Sequence, residues 1–142
     1  MTLSPSFSKL TPNLIVEDVE RSLRFYEEVL GFQRGFTVPD ACPYVFGSVT
    51  NGRIEIFFNE KETAAKDYPA FQGKPVGLTG TMFIELERGS GVDALHERLK
   101  GAVPIVMPLV TQFYGMREFA IVDPDGYVIT FAERAATDPA SV

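Results

Sequence analysis

The chain has no tryptophan, one cysteine and one histidine. A lone cysteine, Cys42, excludes an internal disulfide, and this usage fits a reducing, cytoplasmic setting. It precedes Pro43 with no cationic neighbour to stabilise a thiolate, so it reads as a tolerated free thiol. A lone histidine, His96, lies between Leu95 and Glu97 in a helical pattern, as a surface or boundary side chain. Any Ser-His-Asp or Cys-His arrangement would have to use it, so neither is supported. No segment approaches the roughly 18 apolar residues of a membrane span. MTLSPSFSKL lacks a basic stretch followed by an apolar run, so a soluble, unexported chain with no membrane partner is expected. Positive charge is scarce as well: 13 Lys and Arg stand against 19 Asp and Glu, a net charge of -6. The basic residues are scattered, which argues against a nucleic-acid partner, since phosphate binding needs a basic footprint. The same acidity either favours a cationic small molecule or only keeps the chain soluble.

What the chain does have is a change of hydrophobic period near its start. Leu10, Pro12, Leu14 and Val16 alternate, and Val19, Leu23, Tyr26 and Leu30 then follow at helical spacing. Asp18 is placed to cap that helix, Glu20 adds negative charge to its first turn, and Gly31 stands just past its end. Strand-like runs follow over 32–38, 44–50 and 53–58, the last two joined by Asn51-Gly52, a strong hairpin signal. The order is β-α-β-β-β.

From 60 to 77 the chain is polar and punctuated by proline and glycine. It reads as a linker and possible lid, with at most a helical turn at Thr63 to Lys66. The opening pattern then returns: Met82, Ile84 and Leu86 alternate, and Val92, Leu95 and Leu99 are helically spaced. An offset of 70 sets Thr81 on Thr11, Leu86 on Val16, Leu95 on Phe25 and Gly101 on Gly31, an internal repeat. Runs at 103–110, interrupted by Pro104 and Pro108, at 114–122 and at 127–132 complete the second copy. Asp123-Pro124-Asp125-Gly126 reads as a hairpin turn rather than a cation-binding pair. The expectation is one α+β domain over 1–142: module 1 at about 8–59, the linker, module 2 at about 78–133, and a polar tail from Glu133 that frays.

One helix covers one face of a sheet. If Leu14, Val16, Ile54, Ile56, Phe58, Met82, Ile84, Leu86, Ile129 and Phe131 pack beneath the helices, the other parity is left over. It carries Thr11, Asn13, Arg53, Glu55, Phe57, Thr81, Phe83, Glu85, Val128 and Thr130. Such a mixed polar and aromatic surface either lines a ligand hollow or is simply solvated. The facing of Phe36, Tyr44, Phe46, Phe113, Tyr114 and Glu118 is left open. Rings near Glu55, Glu85 and Glu118 suit a planar or cationic ligand, or else pack a dimer interface.

VEDVERSLRFYEEVLGF after the first strand and REFAIVDPDGYVITFAE near the end resemble the glyoxalase, bleomycin-resistance and extradiol-dioxygenase superfamily, the vicinal-oxygen-chelate fold. The resemblance spans roughly Lys9 to Glu133. It implies two βαβββ modules forming curved mixed sheets around a cup-shaped cavity, often completed in a homodimer. Enzymes of that superfamily commonly hold a metal at four strand positions, which fall here on Thr11, Glu55, Thr81 and Thr130. Only Glu55 is a good ligand for a divalent cation, because threonine hydroxyls are neutral and weak. The expectation is therefore a metal-independent, cofactor-free binding protein of the bleomycin-resistance type that takes an aromatic or cationic compound. Its candidate ligand-binding residues are Thr11, Asn13, Glu55, Phe57, Thr81, Phe83, Tyr114, Glu118 and Thr130. The alternative is an enzyme of the same fold, a lyase, isomerase, dioxygenase or thiol transferase, with Glu55 as the candidate catalytic residue beside an unrecognised metal or acid/base partner. A third reading is a protein-interaction module with a vestigial cup.

Overall fold

Asp18 starts the first helix as expected, its carboxylate accepting from the Arg21 amide at 3.1 Å. The computed structural model describes residues 5–135. Two compact units divide between Pro69 and Ala70, within the expected linker.

The first unit comprises β1 (Asn13–Val16), α1 (Val19–Glu28), β2 (Gln33–Val38), β3 (Phe46–Asn51), β4 (Ile54–Glu60) and α2 (Lys61–Asp67). Its strands lie in the order β1-β4-β3-β2, with β1 parallel to β4 and the other pairs antiparallel. Helix α1 sets Val19, Leu23 and Tyr26 into a core shared with Val49, Ile56 and Phe58, all almost without solvent exposure. Tyr26 is central: its ring centroid lies 4.9 Å from that of Phe58 and 5.8 Å from that of Phe32. Burying each such side chain stabilises the fold by about 1.5–3 kcal/mol. Arg34 on β2 bridges back to α1, with contacts of 3.0 Å to Glu20 and 2.6 Å to Glu27. The hydrogen bond to Glu20 is the largest influence holding its guanidinium charged.

The second unit repeats the plan with β5 (Thr81–Glu85), α3 (Val92–Leu99), β6 (Ile105–Thr111), β7 (Met116–Val122) and β8 (Val128–Arg134). Strand order is β5-β8-β7-β6, again with one parallel pair, β5 and β8. Helix α3 packs on β7 and β8, over the parity that holds Phe119, Ile121, Ile129 and Phe131. Among the described residues the result is α+β: two four-stranded mixed sheets and three α-helices.

Four local expectations are corrected. The first strand begins at Asn13 rather than Leu10, and Leu10 is 93% exposed. Pro12 has no amide to give a ladder, although its carbonyl still accepts from Phe57 N at 2.9 Å. The hairpin turn is Gly52-Arg53 rather than Asn51-Gly52, because Asn51 pairs with Ile54. Gly52 takes φ +58° at the first central position, as a II′ turn requires, and Arg53 leaves the sheet face for the turn. The segment after β4 forms α2, capped by the Glu60 carboxylate, which accepts from the amides of Glu62 and Thr63. Glutamate is an unusual cap, so the helix was not legible beyond one turn. Finally, Glu133 lies in β8 instead of starting a fraying tail. Its carboxylate accepts from the amides of Gly89 (2.9 Å), Gly91 (2.8 Å) and Val92 (2.9 Å), closing the N-terminus of α3. The remainder of the expected tail, 136–142, lies outside the described residues.

Candidate functional site

Alternation along β3 and β4 decides what faces away from α1. Because Ile56 and Phe58 point to the helix, Glu55, Phe57 and Asn59 point the other way, joined by Phe46, Ser48 and Thr50 through the pairs Phe46 with Asn59, Ser48 with Phe57 and Thr50 with Glu55. Asn13 of β1 pairs with Phe57 in the parallel ladder, and its side-chain oxygen accepts from the Asn59 amide nitrogen. Three rings gather on this face. Phe36 stacks on Phe46 at 5.2 Å and 22°, Phe46 meets Phe57 edge-on at 5.1 Å, and Phe36 meets Phe57 edge-on at 6.1 Å. Phe36 is 54% exposed, so this aromatic surface is open.

A local irregularity aims Phe36. The β2–β3 register shifts between Arg34 and Thr37, and the Phe36 amide donates to Ser48 Oγ at 3.1 Å. Gly35 makes this possible, because a Cβ there would stand 2.2 Å from Ser48 Oγ. The Glu55 carboxylate is engaged by Lys9, whose Nζ lies 2.6 Å from Oε1. Thr11 is half-buried just before β1.

On the second sheet the face away from α3 carries Thr81, Phe83 and Glu85 of β5, Val128, Thr130 and Ala132 of β8, and Glu118 and Ala120 of β7. Register makes two adjacent rows across the sheet, Phe83-Thr130-Ala120 and Glu85-Ala132-Glu118. Phe83 is 54% exposed and Thr130 is buried. The Thr81 hydroxyl donates to the Val128 carbonyl at 2.9 Å. Glu118 is only 4% exposed. Its Oε1 accepts from the Tyr114 hydroxyl, while its Oε2, fully buried, has no hydrogen-bond partner among the described residues. Tyr114 stands in the turn before β7 rather than in the strand. The hydrogen bond to Glu118, with burial and the carboxylate charge behind it, holds the phenol above its usual pKa.

The metal positions implied by the resemblance do not fit a divalent ion. Glu55, the one good donor, faces a lysine ammonium, and Thr81 uses its hydroxyl proton on a backbone carbonyl. No group of three or more His, Cys, Asp or Glu side chains able to hold a metal occurs among the described residues. His96 packs edge-on against Phe119 at 5.0 Å on the helix side of the sheet. Asp123 Oδ1 accepts from the amides of Asp125 (2.9 Å) and Tyr127 (3.0 Å), which makes DPDG the expected turn.

Of the sequence-predicted residues, Asn13, Glu55 and Phe57 share one face of the first sheet, and Thr81, Phe83, Glu118 and Thr130 share one face of the second, with Tyr114 reaching Glu118 from its turn. Lys9, Phe36, Phe46 and Ser48 also belong with Glu55 and Phe57, which alternation alone does not reveal. The Gly-Phe step at 35–36 is the one sequence hint of the bulge that turns Phe36 inward onto its neighbours.

Two βαβββ units, each with one face under a helix and the other polar and aromatic, define the paired-module α+β class. Residues 9–131 match the Glyoxalase/Bleomycin resistance protein/Dioxygenase superfamily, and the chain belongs to that superfamily. A bleomycin resistance protein of Geobacillus stearothermophilus is 29% identical over 133 residues, covering 87% of this chain and 94% of the relative. The bleomycin-binding protein of the bleomycin-producing Streptomyces verticillus, solved with copper(II)-bleomycin, aligns with TM-score 0.61 at 25% identity over 94% of this chain and all of that one. A glyoxalase/bleomycin resistance protein/dioxygenase from Nocardioides aligns with TM-score 0.76 at 20% identity over 97% of this chain and 90% of that one, a likeness of fold.

Proposed function

We propose that this chain is a metal-independent binding protein that sequesters a small aromatic or cationic compound of the bleomycin type without transforming it. The observation that carries this is the Phe36, Phe46 and Phe57 cluster, open to solvent on a sheet face free of α1. Exposed rings in mutual contact offer stacking surface at little entropic cost. The likeness to bleomycin-resistance and bleomycin-binding proteins supports bleomycin as the first ligand to try. The enzymatic reading needed Glu55 as a free acid or base, and Lys9 holds it.

Isothermal titration of bleomycin and copper(II)-bleomycin into the purified chain tests the proposal. Saturable binding at micromolar or tighter affinity, weakened by Phe36→Ala, is expected; no heat at any accessible concentration defeats it. We further propose a cytoplasmic homodimer. Leu10 at 93% and Leu78 at 64% exposure are apolar surface that self-association would cover. Light scattering that gives a monomer mass at micromolar concentration would count against the dimer.

A further inference from the structure

Two carboxylates are buried among the described residues, Asp123 and Glu118. Asp123 gives an oxygen to its own turn. Glu118 does not: the Tyr114 hydroxyl holds Oε1, and Oε2 meets neither a donor nor solvent. The strand neighbours supply nothing, since Glu118 pairs with Ala132 on one side and Val110 on the other. Arg117, next in sequence, is turned to the opposite face, where it holds Asp93 at 2.6 Å. A buried acceptor with no donor in the chain points to a partner outside it, a ligand group, an ion or an ordered water.

We propose, on the basis of the binding reading above, that Glu118 Oε2 receives an N–H-bearing cationic group of the ligand, an amidinium, guanidinium or ammonium. Tyr114 is a positioning residue: by holding Oε1 it fixes the carboxylate and leaves Oε2 for the ligand. Charge agrees with this choice, because Glu85 stands in the same row two strands away, about 10 Å by ordinary strand spacing. So does the aromatic surround. Phe113 and Tyr114 sit edge-on at 5.1 Å, and Phe83 is half-exposed in the adjoining row, so ring faces are available to a planar cation.

The test compares phenylguanidinium with its neutral analogue phenylurea, titrated into wild type, Glu118→Gln and Tyr114→Phe. Wild type should prefer the cation by about tenfold or more, Glu118→Gln should reduce that preference to about twofold or less, and Tyr114→Phe, which keeps the carboxylate but frees it to turn, should fall between the two. Ligand-free Glu118→Gln should melt no lower than wild type, because Oε2 makes no hydrogen bond that the substitution would remove; a merely structural glutamate would give a lower melting temperature. A wild type without preference, or a glutamine variant that keeps it, overturns the assignment. Bleomycin run on the same three proteins separates the two proposals. Bleomycin binding that is indifferent to Glu118→Gln defeats the subsite and leaves the binding reading standing. Absence of bleomycin binding alongside a Glu118-dependent cation preference does the reverse.

Discussion

The Phe36 amide donates to Ser48 Oγ at 3.1 Å, so the most exposed ring of the aromatic cluster is steered by a serine that has no solvent exposure. Gly35 is what lets the two meet. In Gly35→Ala the new Cβ would stand 2.2 Å from Ser48 Oγ, and Ser48 must rotate and release the amide. Overpacking of this kind costs about 1–3 kcal/mol. Urea denaturation should show that loss, together with weaker bleomycin binding. Adding Ser48→Ala should recover part of it, since the Ser48 Cβ lies a tolerable 3.5 Å away. Strictly additive single and double variants would show that the serine is not the obstacle.

Phe57 and Phe58 are neighbours in sequence with opposite duties. Phe58 has no exposure and packs on Tyr26, so Phe58→Ala should cost about 3–5 kcal/mol in chemical denaturation. Phe57 is half-buried among the rings of the other face. Phe57→Ala should cost less than half as much stability while lowering bleomycin affinity by about tenfold, a loss of about 1.4 kcal/mol. Equal losses of stability in the two variants would contradict the assignment of faces.

That parity is legible in the amino-acid sequence, because period-two alternation fixes which residues of a strand share a face once one of them is known to be core. Leu23 and Tyr26 on the helix, with Ile56 and Phe58 on the strand, suffice. What the sequence hides depends on contacts between distant positions. The Lys9–Glu55 pair joins residues 46 positions apart, and the Glu133 cap spans more than 40. No periodicity records either of them. Helix α3 shows the cause most directly. Gly91 precedes it with φ +102° and no capping side chain, so the carboxylate that caps this helix comes from the far strand and not from its own start.

Glu133 also makes stability depend on pH. Burial pushes its carboxyl up, but the amides of Gly91, Gly89 and Val92 together outweigh that and hold it below the ordinary value of 4.5. A depressed carboxylate stabilises the fold fully above its unfolded pKa and stops doing so as pH falls through the folded value. Removal of a helix N-cap costs about 1 kcal/mol, so at neutral pH Glu133→Ala should melt lower by about 4 °C. The gap should narrow steadily as pH is lowered below 4.5. Glu60, likewise depressed, shifts both proteins together and drops out of the difference. A gap that widens on acidification would refute the cap.

Added metal should leave this fold unchanged. At the four positions where relatives of this fold commonly hold a metal, this chain presents Thr11, Thr81, Thr130 and a Glu55 already facing an ammonium. Taken one at a time these are poor metal donors: the threonine hydroxyls are neutral, and Glu55 would first have to give up Lys9. An ion present at a hundred times its dissociation constant raises stability by about 2.7 kcal/mol, several degrees of melting temperature for a chain of this size. Zinc, manganese and nickel at millimolar concentration, after dialysis against a chelator, should therefore leave the melting temperature within about 1 °C of the metal-free value. Lys9→Ala should not alter that result, because one freed carboxylate is not by itself a site for these ions. A rise of several degrees with any of the three ions, in either protein, would mean that a donor set exists which the threonines do not suggest.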